Sequence, residues 1–205
     1  MRAMQWTLAL ALTAALLVGC GTKEADSPED AVQLMAKSLQ DNDKDQFMAV
    51  IECEDESVAE AFFEFGATAT TFAEKMQAEY GEEAYDSPVP TDEDIEEMKI
   101  KVDGDKAVAE KGDMKFVKTD AGWKIHLEMK GQGSPQSPEM AKKMFGAMQK
   151  AMEEQMDNIG KEGYTADKIE QAIGKAMMGV MAEAMQEQMQ NGMQPPMPEP
   201  DTNGD

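Results

Sequence analysis

The apolar positions follow three rhythms in turn, and each rhythm predicts a different kind of segment. An apolar run from Leu8 to Val18, interrupted only by Thr13, comes first, behind a single Arg2. Spacing then becomes helical. Ser27-Pro28-Glu29-Asp30 supplies a capping hydroxyl, a proline suited to the first helical position and acids for the first turn. Val32, Met35 and Leu39 continue as one face. A polar turn, Asp41-Asn42-Asp43-Lys44-Asp45, leads to a second helical piece carrying Phe47, Val50 and Ile51. From about Ser57 a longer helix places Val58, Phe62, Phe65, Ala69, Phe72 and Met76 on one stripe, with Glu60, Glu64 and Glu74 outside it. The stretch from Tyr80 to Asp94 is acidic, holds two prolines and reads as a loop.

The period then drops to two. Met98, Ile100 and Val102 alternate with Glu97, Lys99 and Lys101, and Asp103-Gly104 signals a hairpin. A return strand is expected from Lys106 to about Lys118, with a bulge or break at Gly112-Asp113. After the turn Thr119–Gly122, Trp123, Ile125, Leu127 and Met129 face one way while Lys124, His126, Glu128 and Lys130 face the other. The stripe of the long helix is the natural cover for the apolar side of this sheet. Ser137-Pro138-Glu139 starts another helix, Thr165 caps a last one, and the tail is Pro-rich and polar. The expected fold is α+β: N-terminal helices packed on a small curved antiparallel sheet, followed by a Met-rich helical extension. Its parts are a leader over 1–19, a tether over 20–26, an α+β domain over 27–131, a linker over 132–137, a helical hairpin over 138–192 and a tail over 193–205.

The opening apolar run fits the ~7–15 residues of a signal-peptide core and falls short of the ~20 needed to cross a bilayer. It ends in Leu17-Val18-Gly19-Cys20, which resembles the lipobox of bacterial lipoproteins. That resemblance implies cleavage before Cys20, acylation of its thiol and a membrane partner through the acyl chains. It places the mature chain in the cell envelope, facing the periplasm or exterior. Gly21, rather than Asp, after the cysteine favours the outer membrane.

Charge narrows the partners. The chain carries −22, and loss of Arg2 with the leader leaves 18 basic against 41 acidic residues, or −23. Such a chain is repelled by nucleic acid. With Cys20 acylated, Cys53 has no intramolecular partner, and its neighbours Glu52, Glu54 and Asp55 make it a poor nucleophile; a half-buried structural thiol is expected.

A family resemblance rests on Ser27-Pro28-Glu29-Asp30-Ala31-Val32, Leu39-Gln40-Asp41-Asn42-Asp43, Val102-Asp103-Gly104-Asp105-Lys106-Ala107 and Gly122-Trp123-Lys124-Ile125. On these the chain resembles small bacterial lipoproteins of the nuclear-transport-factor-2-like superfamily with a shortened sheet, a cystatin-like α+β arrangement, over roughly half its length. The resemblance implies a cone whose mouth holds a small ligand. Here the lining would be Phe62, Phe65, Phe72, Met98, Ile100, Trp123, Ile125 and Leu127. Enzymes of the superfamily use an acid or base deep in the cone. This sheet offers only apolar residues there, and His126 points away with the lysines.

Two cation readings come from spacing. Asp41, Asp43, Asp45 and Glu52 occupy positions 1, 3, 5 and 12 of an EF-hand loop, but Gln46 stands where the sharp turn calls for glycine. Phe47 and Met48 fit better on a helix capped by Asp45. Met140, Met144, Met148, Met152 and Met156 recur every four residues, as do Met177, Met181, Met185, Met189 and Met193. Thioethers suit Cu(I), with Met144, Met148 and Met152 as candidate ligands. The same spacing makes a ridge for helix packing or a face for a protein partner. The expectation is therefore a lipid-anchored, non-enzymatic domain without a cofactor, binding a small apolar ligand or a protein. A copper or other cation carrier and an enzyme using the cone are the alternatives.

Overall fold

A computed structural model describes residues 22–85, 87, 89–110, 114–128 and 137–190, with side chains in the last helix described to 180 and at 182, 183 and 186. Cys20, the expected leader, the bulge or break expected at Gly112-Asp113, Met129, residues 132–136 of the expected linker and the tail lie outside these residues. The first helix begins where its cap predicts. Ser27 Oγ accepts from the Asp30 N–H at 3.1 Å, and α1 runs over Pro28–Gln40. Asn42 turns the chain at φ 54°, a left-handed conformation that asparagine tolerates better than most residues. The cap of α2 (Lys44–Val50) is Asp43, not Asp45: its carboxylate accepts from the Gln46 N–H at 3.0 Å.

The second helical piece ends one residue earlier than its apolar pattern suggests. Ile51 is already in an extended strand, β1 (Ile51–Cys53), and Asp55 then caps α3 (Glu56–Tyr80). The acidic stretch after α3 is not all loop. It holds a single 3-10 turn, Glu82–Ala84, and a short α4 (Asp92–Glu96) closed by a reciprocal capping box between Thr91 and Asp94. Ile95 of α4 is buried in the core.

The sheet corrects the expectation of a wholly antiparallel arrangement. Strands β2 (Ile100–Asp103), β3 (Lys106–Ala109), β4 (Lys115–Thr119) and β5 (Gly122–Leu127) pair antiparallel in sequence. β1 joins β5 in parallel, giving the order β1-β5-β4-β3-β2. The stretch expected as a return strand with a bulge or break is two strands paired antiparallel, with the Ala109 N–H donating to Met114 O at 2.9 Å between them. The chain is α+β with a mixed five-stranded sheet.

Two apolar clusters sit on either side of α3. One lies between the sheet and α1, α2 and α4, with Val32, Phe47, Phe63, Ile95, Phe116, Trp123 and Ile125 buried in it. Here α1 lies over β5 and crosses α3 at Gly66, where any Cβ would stand 2.8 Å from Leu39 Cδ2. The other cluster joins the far part of α3 to α5 (Pro138–Met156) and α6 (Ala166–Gln190) through Phe65, Phe72, Met76, Met152, Ile169 and Ile173. The stripe on α3 is real, but from Phe65 onward it covers these helices rather than the sheet. Phe63, off the stripe by one residue, is the aromatic that enters the sheet-side core. Phe62 touches both clusters.

Candidate functional site

The first described residues form a strap rather than a free tether. Gln46 of α2 grips Lys23 from both sides: the Lys23 N–H donates to Oε1 at 2.7 Å, and Nε2 donates to Lys23 O at 3.0 Å. Two residues on, Ala25 is 1% exposed and bridges in parallel to Gly122 at the start of β5. Its carbonyl accepts from the Trp123 N–H at 2.9 Å. Gly122 is matched to this approach. It sits at φ 89°, and a Cβ there would fall 2.5 Å from Ala25 O. Sequence reasoning found Gly122 as a turn residue; nothing in the pattern reported its partner nearly a hundred residues earlier.

The sheet's second face carries charge. Register alone lines up Glu52, His126, Lys115, Val108 and Lys101 in one row across all five strands. Lys124, Val117, Lys106 and Asp103 form the next. Lys115 pairs with Glu128 and Lys101 with Glu110, the latter at 2.9 Å. The Lys115 hydrogen bond holds the Glu128 carboxyl below its ordinary range. His126 belongs to this face, as its alternation predicts; Nε2 stands 3.8 Å from Glu128 Oε1, while Nδ1 is buried without a hydrogen-bond partner. At the sheet's edge, β2 and β3 form a hairpin with Val102 57% exposed and Val108 42% exposed, on opposite faces. The alternation had placed Val102 against the core; on the edge strand β2 it is exposed instead.

The eight residues expected to line a cone divide between the two clusters. Met98, Ile100, Trp123, Ile125 and Leu127 go with the sheet-side cluster. Phe65 and Phe72 go with the α5–α6 cluster, Phe65 stacked on Phe145 at 5.7 Å and Phe72 edge-on to Tyr85 at 5.0 Å. Phe62 spans the two, 5.8 Å from Phe47 and 5.3 Å from Phe145.

Nor do the acids at EF-hand spacing converge. Asp41 pairs with Lys37 at 2.7 Å, Asp43 caps α2, Asp45 is exposed in its first turn, and Glu52 lies on β1 opposite His126. Among the described residues no three His, Cys, Asp or Glu side chains are placed to hold a metal ion. Cys53 is a free, partly buried thiol against the sheet-side core. In α5, Met152 is 2% exposed inside the second cluster, Met148 is partly buried against it, and Met144 is half-buried. A ridge stepping by four turns about 40° per step around a helix. A straight helix therefore cannot keep every rung on one seam, and Met152 alone of these three is fully covered.

Lys142 Nζ donates to Ser57 Oγ at 3.0 Å, and Ser57 donates in turn to Asp55 Oδ1 at 2.6 Å, which ties the start of α5 to the start of α3. The Ser57 hydrogen bond lowers the Asp55 carboxyl below its ordinary pKa. Among the described residues no helix is long and apolar enough to cross a membrane. No protein-family model matches the chain, and no curated protein or solved structure is significantly similar to it.

Proposed function

We propose that this chain is a lipid-anchored domain of the bacterial cell envelope, at the outer membrane, that performs no reaction of its own and binds a protein partner at the β2–β3 hairpin. The observation that carries this reading is the exposure of Val102 and Val108 on the two faces of that hairpin. β2 is the edge of the sheet. An edge strand with apolar side chains offers both backbone hydrogen bonds and pockets' worth of contact to an added strand. Lys101 and Asp103 on the same strand give such a partner its charge register.

Anchoring rests on the lipobox pattern at Leu17-Val18-Gly19-Cys20. The nuclear-transport-factor-2-like resemblance supplies the helices-then-sheet plan. A small apolar ligand in the cone is the weaker version, because Trp123 and Ile125, 6% and 2% exposed, are already packed by the chain's own helices. The Met-rich α5 and α6 add a second contact surface. Met178, on the side of α6 opposite Ile169, is 67% exposed.

Native mass spectrometry of the acylated chain, purified in detergent from its own host, tests the reading. A protein adduct is expected, and Val102→Lys with Val108→Lys should remove it while leaving the melting temperature unchanged. A bound lipid that survives those changes would instead favour the cone. A Cu(I) adduct lost in Met144→Leu, Met148→Leu and Met152→Leu would favour the copper carrier.

A further inference from the structure

We infer that the strap Lys23–Asp26 fixes the domain's orientation on the bilayer, turning the Asp103–Lys106 and Thr119–Gly122 turns toward the lipid headgroups. This rests on acylation of Cys20. Only Gly21 and Thr22 separate that residue from Lys23. A chain advances at most ~3.3–3.6 Å per residue, so the Gln46 grip on Lys23 lies within about 10 Å of the acylated residue.

The strap cannot swivel at that point. Lys23 is held by two hydrogen bonds to Gln46, and Ala25 is locked beside Gly122 by a third to Trp123. The lock sits at one particular end of the sheet. β5 starts there and β4 ends there, through the Thr119–Gly122 turn. β2 ends and β3 starts there too, and the Lys118 N–H donates to Asp105 O at 2.8 Å, joining the two turns. The opposite end holds Cys53, Ala109, Lys115 and Leu127. Charge does not drive this arrangement, since Asp105 and Asp120 at the tips are repelled by anionic headgroups. The covalent strap imposes it. The bilayer is thereby the partner of one end of the sheet, and β2, running between the two ends, presents its free edge beside the membrane rather than against it.

The test uses the acylated protein in phosphatidylethanolamine–phosphatidylglycerol vesicles doped with a headgroup-nitroxide lipid. A bimane fluorophore is placed at Asp105→Cys, Asp120→Cys or Glu54→Cys, each in a Cys53→Ala background. With β5 advancing ~3.3 Å per residue, the ends of the sheet differ by about 17 Å, so quenching is expected to be at least about twofold stronger at 105 and 120 than at 54. A ten-residue Gly-Ser insertion between Gly21 and Thr22 should abolish the difference, because a flexible linker of that length spans roughly 17–19 Å in any direction. Vesicle flotation and intact mass report anchoring independently. A chain that floats with equal quenching at all three positions overturns the orientation and leaves the anchor standing. A chain that is not acylated and does not float overturns both.

Discussion

At position 122 a Cβ would lie 2.5 Å from the Ala25 carbonyl oxygen, on a backbone already at φ 89°. Gly122→Ala therefore meets a backbone atom that cannot step aside, in a conformation that costs an L-residue roughly 1–2 kcal/mol. The expected outcome is release of the strap more than collapse of the fold. Limited trypsin treatment should then cut after Lys23 in the variant and spare that bond in the parent. Equal cutting in both would mean that the strap is not held. Single residues also show where pattern reading stops. Phe62 and Phe63 are neighbours, and spacing assigns the first to the stripe and the second to nothing. In the fold Phe63 is buried 5.2 Å from Phe47, while Phe62 stays partly exposed between two clusters. A helix seventy or more residues away from its second partner buries two faces, and a one-stripe template sees one.

Among the elements, α3 decides whether the two clusters melt together. Phe72 is 0% exposed at the centre of the α5–α6 cluster, and truncating a buried phenylalanine costs about 3–5 kcal/mol. Trp123, one of two tryptophans and the one beyond the apolar run at the start, lies in the sheet-side core, whereas Tyr80 and Tyr85 pack against the other cluster. Since α3 and Phe62 belong to both, Phe72→Ala is expected to lower the urea midpoints of tryptophan fluorescence and tyrosine near-UV dichroism by the same amount. A tyrosine transition that moves alone would make α5 and α6 a separate unit. The starts of α1, α5 and α6 were legible because capping is local: Ser27, Ser137 and Thr165 sit within three residues of the N–H groups they serve, whereas the Asp55 cap of α3 was not read from the pattern. β1 was not legible. Its three residues follow a helix without a polar break, and among the described residues its pairing is with β5, more than seventy residues on. The Asp-rich turn shows the same limit for the candidate site. Its spacing matched a cation loop, but Glu52 had been carried away on a strand that local pattern cannot detect.

For the whole molecule, a net charge of −22 works against compaction at neutral pH, because like charges repel more when the chain is folded. Acidification from pH 7 toward the carboxylate range discharges acids and relieves that repulsion, so stability should first rise. Two carboxyl groups then act in the opposite direction. Asp55 is held below its ordinary pKa by Ser57, and Glu128 below its own by Lys115. A carboxyl with a depressed folded-state pKa contributes stability above its unfolded value, and that contribution is lost as pH falls through the folded one. The unfolded values are 3.8 for Asp55 and 4.5 for Glu128, so the loss sets in near them and completes below. Urea midpoints measured from pH 7 to pH 3 are thus expected to pass through a maximum above about pH 4.5. Asp55→Asn and Glu128→Gln together should flatten the acid limb and leave the rise intact. High salt should do the reverse, screening the repulsion at pH 7 and flattening the rise. A midpoint that falls steadily from pH 7, with no maximum at low salt, would show that the acidic surface is solvated well enough to carry no strain.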